Sequence, residues 1–185
     1  MAESQVRILA ISGSLRGASS NTELLRAAAT LAPAGVTIEL YDGLAELPHF
    51  NPDIEPSASA PVMDLKTRLG AADGLMISSP EYARGMAGSL KNALDWLVSG
   101  PEFVDKPVAL LSASSRSTHA YEALRLTVST MSGLIVKDAS ITLPLLGRNL
   151  DAVGIVADPQ LSLVLRAALA AFVSAINQRR NAGAS

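Results

Sequence analysis

Apolar runs of strand length alternate along this chain with amphipathic segments of helix length, and that rhythm restricts the fold more than any other feature. Strands are expected at 5–12, 36–41, 74–79, 107–113 and 134–142, and helices near 21–32, 61–71, 88–98, 119–132 and 159–179. A β-α-β-α order implies a parallel sheet with helices on both faces, and right-handed crossovers leave few topologies for it. Val6, Ile8, Leu9, Ala10 and Ile11 form a nearly continuous apolar run, as a strand covered on both sides requires. The predicted class is therefore α/β, a doubly wound five-stranded parallel sheet. The 185 residues suit one such domain over 1–185, with its folded core over about 5–178. The last helix is well marked, with Asp158 as N-cap, Pro159 at the first position, and Arg179 and Arg180 near its negative end. Residues 42–60, with Pro48, Pro52 and Pro56, and Pro61 just beyond, read as a long loop, and no internal repeat is evident.

Composition narrows the chemistry. The chain has no cysteine, which excludes disulfides, thiolate metal sites and thiol redox cycles, so redox chemistry here would need a cofactor. A net charge of -2 without a basic stripe argues against nucleic acid or an anionic membrane surface as partner. His49 and His119 have no metal-ligand spacing, and no metal is assigned. Residues 1–6 lack the basic and apolar regions of a signal peptide, and the apolar stretch 167–173 is short for a bilayer, so a cytoplasmic location is expected. Hydrophobic residues at 49% against 17% charged suggest a buried subunit interface.

Between the first strand and first helix lies Gly13-Ser14-Leu15-Arg16-Gly17-Ala18-Ser19-Ser20-Asn21. A helix N-terminus attracts anions, and Ser14, Ser19, Ser20, Asn21 and Arg16 add hydroxyl, amide and guanidinium donors suited to one monophosphate. The alternative is plain helix capping, with Arg16 in water. Ligands of open α/β sheets bind beyond the carboxyl ends of the strands. Loops 13–20, 80–88 and 114–119 leave those ends, and the second, Pro80-Glu81-Tyr82-Ala83-Arg84-Gly85-Met86-Ala87-Gly88, can bring its backbone close to a flat ring.

Two motifs in these loops, Gly13-Ser14-Leu15-Arg16-x-x-Ser19-x-Asn21 and Pro80-Glu81-Tyr82 followed by Gly85, Gly88, Leu90-Lys91-Asn92-Ala93 and Asp95-Trp96, resemble those of the NAD(P)H-dependent FMN reductases. That family includes chromate, azo-dye and quinone reductases. The resemblance implies a flavodoxin-like sheet of order 2-1-3-4-5. It implies that Ser14, Arg16, Ser19 and Asn21, with Ser20 alongside, hold the FMN phosphate. Pro80, Glu81, Tyr82 and Ala83 would run beside the isoalloxazine, and Ser114 and Arg116 would close the other side. The chain departs from the family pattern at Ala83 and Ala87, where Asn and Pro are usual. It departs further at Ser114-Ser115-Arg116-Ser117-Thr118-His119-Ala120, which has none of the usual glycines. Arg116 and His119 would then narrow the site, Arg116 would face a nicotinamide 2′-phosphate, or the flavin is lost.

The implied activity is hydride transfer from NADPH or NADH to bound FMN and on to a quinone, free flavin or other small acceptor. No side chain is assigned a catalytic role, because the cofactor carries the chemistry. The alternatives are an FMN electron carrier or redox sensor without nicotinamide turnover, and an interaction module without flavin. Lys91 and Asp95 have ordinary ion-pair spacing, while Leu90, Leu94, Trp96 and Leu97 fit a packed helix face; the resemblance suggests that this helix helps build a dimer. Glu81 is read as a flavin contact, a subunit contact or a helix cap.

Overall fold

The computed structural model describes residues 5–183. Its main sheet consists of β1 (Val6–Ser12), β2 (Val36–Leu40), β3 (Gly74–Ser78), β6 (Pro107–Leu111) and β7 (Leu134–Ile135). All pair in parallel in the order β2-β1-β3-β6-β7, which is 2-1-3-4-5 among the sheet strands. The order reverses beside β1 and β3, so a crevice opens above the carboxyl ends of these two strands. A two-stranded antiparallel hairpin, β4 (Glu81–Tyr82) with β5 (Gly85–Met86), stands beyond the end of β3.

Strand alternation divides the apolar side chains between two cores. Val6, Ile8 and Ala10 join Met76 and Ala109 beneath α1 (Ser20–Thr30), α5 (Ala152–Ala157) and α6 (Pro159–Gly183). Leu9 and Ile11 join Leu75, Ile77, Val108 and Leu110 beneath α2 (Ala60–Ala71), α3 (Gly88–Leu97) and α4 (Thr118–Thr130). Every residue of β3 and of β6 is buried, which explains why these strands read as unbroken apolar runs.

The expected boundary of α6 holds at its start. Asp158 Oδ1 accepts the Gln160 and Leu161 N–H groups at 3.0 and 3.1 Å, and its other oxygen pairs with Arg148 at 2.7 Å. The Leu161 N–H and Arg148 hold this carboxyl below the usual aspartate range. At the other end of α2, Lys106 Nζ donates to the Leu69 and Ala72 carbonyls at 3.0 and 2.5 Å, and burial lowers the pKa of its ammonium.

Three expectations need correction. The fifth strand does not run over 134–142: only Leu134 and Ile135 pair with Pro107 and Val108, a 3-10 turn at Lys137–Ala139 buries Ala139 in the core, and Thr142 rejoins the sheet by a single bridge to Ser112. Helix α5 lies where no element was expected; six residues are too few to display a helical period, although Asp151 caps them through the Gly154 N–H at 2.8 Å. The apolar stretch at 167–173 belongs to a helix that does have the length and mean hydropathy, 1.6, of a bilayer-crossing segment. Its Leu161, Leu165, Leu169, Phe172 and Ile176 stripe nonetheless packs into the first core, as in a sheet-covering helix.

Residues 42–60 form the expected long loop, which wraps the domain as a docked strap with 3-10 turns at Gly43–Glu46 and Pro56–Ala58. Asn92 Nδ2 and Trp96 Nε1 both donate to the Pro48 carbonyl, at 2.9 and 2.8 Å. The Phe50 N–H returns a bond to Asn92 Oδ1 at 2.7 Å, and the Phe50 ring stands edge-on to Trp96 at 5.1 Å. The Lys91–Asp95 pair forms at 2.6 Å on the exposed side of α3.

Candidate functional site

The loops leaving β1, β3 and β6 converge on one cavity of about 410 Å3, lined by Ser14, Arg16, Ala18, Ser19, Ser20, Asn21, Pro80, Glu81, Tyr82, Ala113, Ser114, Arg116, Ser117 and Leu146. This volume falls within the range of small-molecule sites. Thus the structure brings together every site residue expected from the sequence except Ala83.

The first loop turns sharply because Gly13 lies against its neighbours: a Cβ there would stand 2.7 Å from Ser79 Oγ and 3.2 Å from Leu90 Cβ. Its backbone is tied down on both sides, with the Gly13 N–H donating to Ser78 O at 2.8 Å and Ser89 Oγ donating to Gly13 O at 2.9 Å. Ser12 Oγ accepts the Ser14 N–H at 3.3 Å and bonds Thr22 Oγ1 at 2.7 Å, fixing the loop to the first turn of α1.

The plain capping account of this loop does not fit. Ser19 is the N-cap of α1 by backbone conformation, yet its side chain makes no cap hydrogen bond. Asn21 is buried, and its Oδ1 accepts from the fully buried Ser78 hydroxyl at 2.8 Å. That bond engages the amide oxygen, so the amide nitrogen is the side chain's remaining donor group, and Asn21 lines the cavity. The Arg16 guanidinium is exposed and has no acceptor among the described residues; only the Arg16 backbone N–H is engaged, with Ser14 Oγ at 3.3 Å. With the first-turn N–H groups that a helix leaves unpaired, these groups form a donor set.

On the second loop, Glu81 is the one carboxylate lining the cavity, and its Oε2 accepts the Ala120 N–H at 2.9 Å. Ala120 is the third residue of α4, so Glu81 caps that helix across 39 residues of sequence and ties the hairpin to the third loop. Tyr82 is 57% exposed on the rim, and Leu146, 60% exposed, faces it from the segment after β7. Ala83 has a different role from that expected. It and Arg84 have φ of 49° and 61° and form the two-residue turn of the hairpin, away from the cavity lining. Both central residues of such a turn need positive φ, which Asn and Gly adopt more cheaply than Ala and Arg. The double change Ala83→Asn with Arg84→Gly is expected to raise stability by about 1 kcal/mol, read as a higher urea midpoint at unchanged slope.

In the third loop, Ser112 Oγ accepts the Ser114 N–H at 3.4 Å, and Ser114 Oγ accepts the Arg116 N–H at 3.1 Å. His119, in the first turn of α4, does not line the cavity. Ala18, Ala113, Ser117 and Leu146 do line it and were not singled out from the sequence. Three of them sit inside or beside the motif loops, whereas nothing local marks Leu146. Behind the third loop, burial raises the pKa of the Tyr121 phenol, partly offset by the Ser140 hydroxyl. In the second core, Tyr41 is pushed up to about 12 by burial and by Asp64.

Residues 6–145 match the NADPH-dependent FMN reductase family. The chain is 42% identical over 113 residues to an NAD(P)H-dependent FMN reductase of Pseudomonas aeruginosa, covering 60% of each chain. It is 40% identical over 113 residues to an NADPH:quinone oxidoreductase of Arabidopsis thaliana, covering 58% of this chain and 57% of that one. The matches thus span less than two thirds of these curated relatives. Among solved structures, FerB, a flavoenzyme NAD(P)H:(acceptor) oxidoreductase from Paracoccus denitrificans, superposes with a TM-score of 0.79 at 25% identity, covering 94% of this chain and 98% of that one.

Proposed function

Because this chain belongs to the NADPH-dependent FMN reductase family, we propose that it binds FMN in the three-loop cavity and uses a reduced nicotinamide nucleotide to reduce a quinone, a free flavin or another small acceptor. The observation that carries the reading is the donor set around Arg16 and Asn21 in a cavity whose other walls are the hairpin and the third loop. The residues present fit the cofactor. Arg16, the Asn21 amide, and the hydroxyls of Ser14, Ser19 and Ser20 would hold its phosphate; Pro80, Glu81 and Tyr82 on one side, and Ser114 on the other, would flank its ring.

FMN supplies the hydride-accepting and electron-donating chemistry when bound. The chain itself orients. Ser78 holds the Asn21 amide in one orientation, so the loop meets a phosphate without rearranging its donors. Glu81, engaged at the Ala120 N–H, fixes the separation of the two walls that would clasp the ring. Hydride transfer needs reacting atoms about 3–3.5 Å apart, and a wall held at both ends favours that approach. Tyr82 and Leu146 place exposed apolar surface at the mouth, where a flat acceptor can stack after the nucleotide leaves.

We place the activity in the cytoplasm, where reduced nicotinamide nucleotides are held, and read 1–185 as one domain. Exposed apolar side chains on α5 and α6, Val153 at 75% and Leu163 at 69%, support self-association as a homodimer or tetramer.

The test is a visible absorption spectrum after incubation with FMN and removal of excess, repeated anaerobically with NADPH and with NADH. Retained flavin bands that bleach with either nucleotide are expected. Bands that persist with both would identify a carrier or sensor instead, and failure to retain or bind flavin would end the flavoprotein reading.

A further inference from the structure

The third loop copies the first. Ser12-Gly13-Ser14-Leu15-Arg16 follows β1, and Ser112-Ala113-Ser114-Ser115-Arg116 follows β6, so a Ser-x-Ser-x-Arg pentad recurs at the same kind of position in the sheet. This is a short internal repeat that a search for long periods passes over.

The copies match in their bonds as well as in their letters. In each, the first serine hydroxyl accepts the N–H of the second serine, at 3.3 and 3.4 Å. In each, the second serine hydroxyl accepts the arginine N–H, at 3.3 and 3.1 Å. Both serine-arginine pairs, Ser14 with Arg16 and Ser114 with Arg116, line the same cavity. Neither guanidinium has an acceptor among the described residues, although Glu81 lines the cavity with them and Glu122 lines the smaller pocket behind the third loop. Glu81 is occupied with the Ala120 N–H through Oε2, and Glu122 with Arg125 at 2.8 Å.

Two arginines without partners in one cavity exceed the needs of a ligand with one terminal phosphate. We propose that the Ser112–Arg116 loop is a second phosphate-binding loop, and that Arg116 grips a phosphate of the incoming nicotinamide dinucleotide while Arg16 holds that of FMN. This rests on the reductase reading above and assigns to the third loop a task of its own. The glycine-free sequence suits it: where glycines would let the backbone approach a ring, Ser114 and Arg116 present hydroxyl and guanidinium donors instead. The grip is available to either phosphate group of a dinucleotide, the pyrophosphate or the 2′-phosphate, and the two are separable because only NADP(H) carries the latter.

The experiment measures the affinity of FMN-loaded protein for NADP+ and NAD+ by calorimetry, with the KM for NADPH and NADH alongside, in the parent and in Arg116→Ala, Arg116→Lys and Arg84→Ala. Arg84 sits on the neighbouring hairpin outside the cavity, so its removal reports the general electrostatic field. Arg116→Ala is expected to weaken dinucleotide binding about tenfold or more with the FMN spectrum retained, Arg116→Lys to recover part of the loss, and Arg84→Ala to change it less than about threefold. A loss confined to NADP+ assigns the 2′-phosphate, and an equal loss for both nucleotides assigns the pyrophosphate. The proposal is overturned if Arg116→Ala leaves both affinities unchanged, if it releases FMN instead, or if Arg84→Ala matches it. Bleaching of the parent's flavin by NADPH, with affinities indifferent to Arg116, overturns this proposal alone. Flavin that neither nucleotide reduces, in a parent that binds neither, overturns the reductase reading together with it.

Discussion

Replacing Trp96 with alanine is expected to destabilise the fold by about 3–5 kcal/mol, the usual cost of emptying a buried aromatic site. Trp96 is 1% exposed, packs in the second core, and donates through Nε1 to Pro48 O at 2.8 Å. Its ring is also the platform for Phe50. The change therefore removes core volume and one anchor of the 42–60 strap together, out of a total stability on the order of 5–15 kcal/mol for a domain. Trp96→Phe retains most of the ring and gives up the N–H, so it should cost appreciably less. Urea unfolding of both variants, with hydrogen exchange at the Phe50 amide as a local probe, separates the effects. A Trp96→Ala midpoint close to that of the parent would show that neither packing nor the strap depends on this ring.

Loss of the Arg16 side chain is expected to weaken FMN binding by about 1.5–3 kcal/mol, roughly 10- to 150-fold, with the unfolding midpoint unchanged. Affinity and stability separate here because the guanidinium is exposed and has no partner among the described residues, so removing it strands no buried group. Arg16→Lys should recover part of the affinity, since an ammonium keeps the charge and loses the fork geometry. Added salt should narrow the gap between parent and variant by screening the exposed charge. Titration of flavin fluorescence at two ionic strengths measures both effects. An Arg16→Ala variant that binds FMN as tightly as the parent would remove Arg16 from the phosphate site.

The division between what could be read locally and what could not follows particular residues. β1, β3 and β6 are legible because both faces are covered, so burial leaves a nearly continuous apolar run in the sequence, broken in β1 by the exposed Arg7. The run at 134–142 looked similar, but an edge strand has a neighbour on one side only. There the apolar residues serve helix contacts: Ala139 is buried beneath the α6 face while the ladder lapses. The loop motifs were legible because glycine and serine at a strand-to-helix junction carry their own local geometry. Ala83 was misplaced because its neighbours in sequence line the cavity, while positive φ turns the chain back at that point.

Local periodicity and contiguous motifs carry the α/β class, the order of the main-sheet strands with their crossover helices, the family resemblance and the three loops that bear the site. Packing alone establishes that Glu81 caps α4, that Ser78 orients Asn21, that Asn92 and Trp96 fasten the strap, and that Arg16 and Arg116 share one cavity on matching loops. Those relations join residues 39 to 100 positions apart. Hydrogen bonds of this kind need a donor and an acceptor within about 3 Å, a condition that the packing of helices on the sheet creates and the order of residues along the chain does not contain.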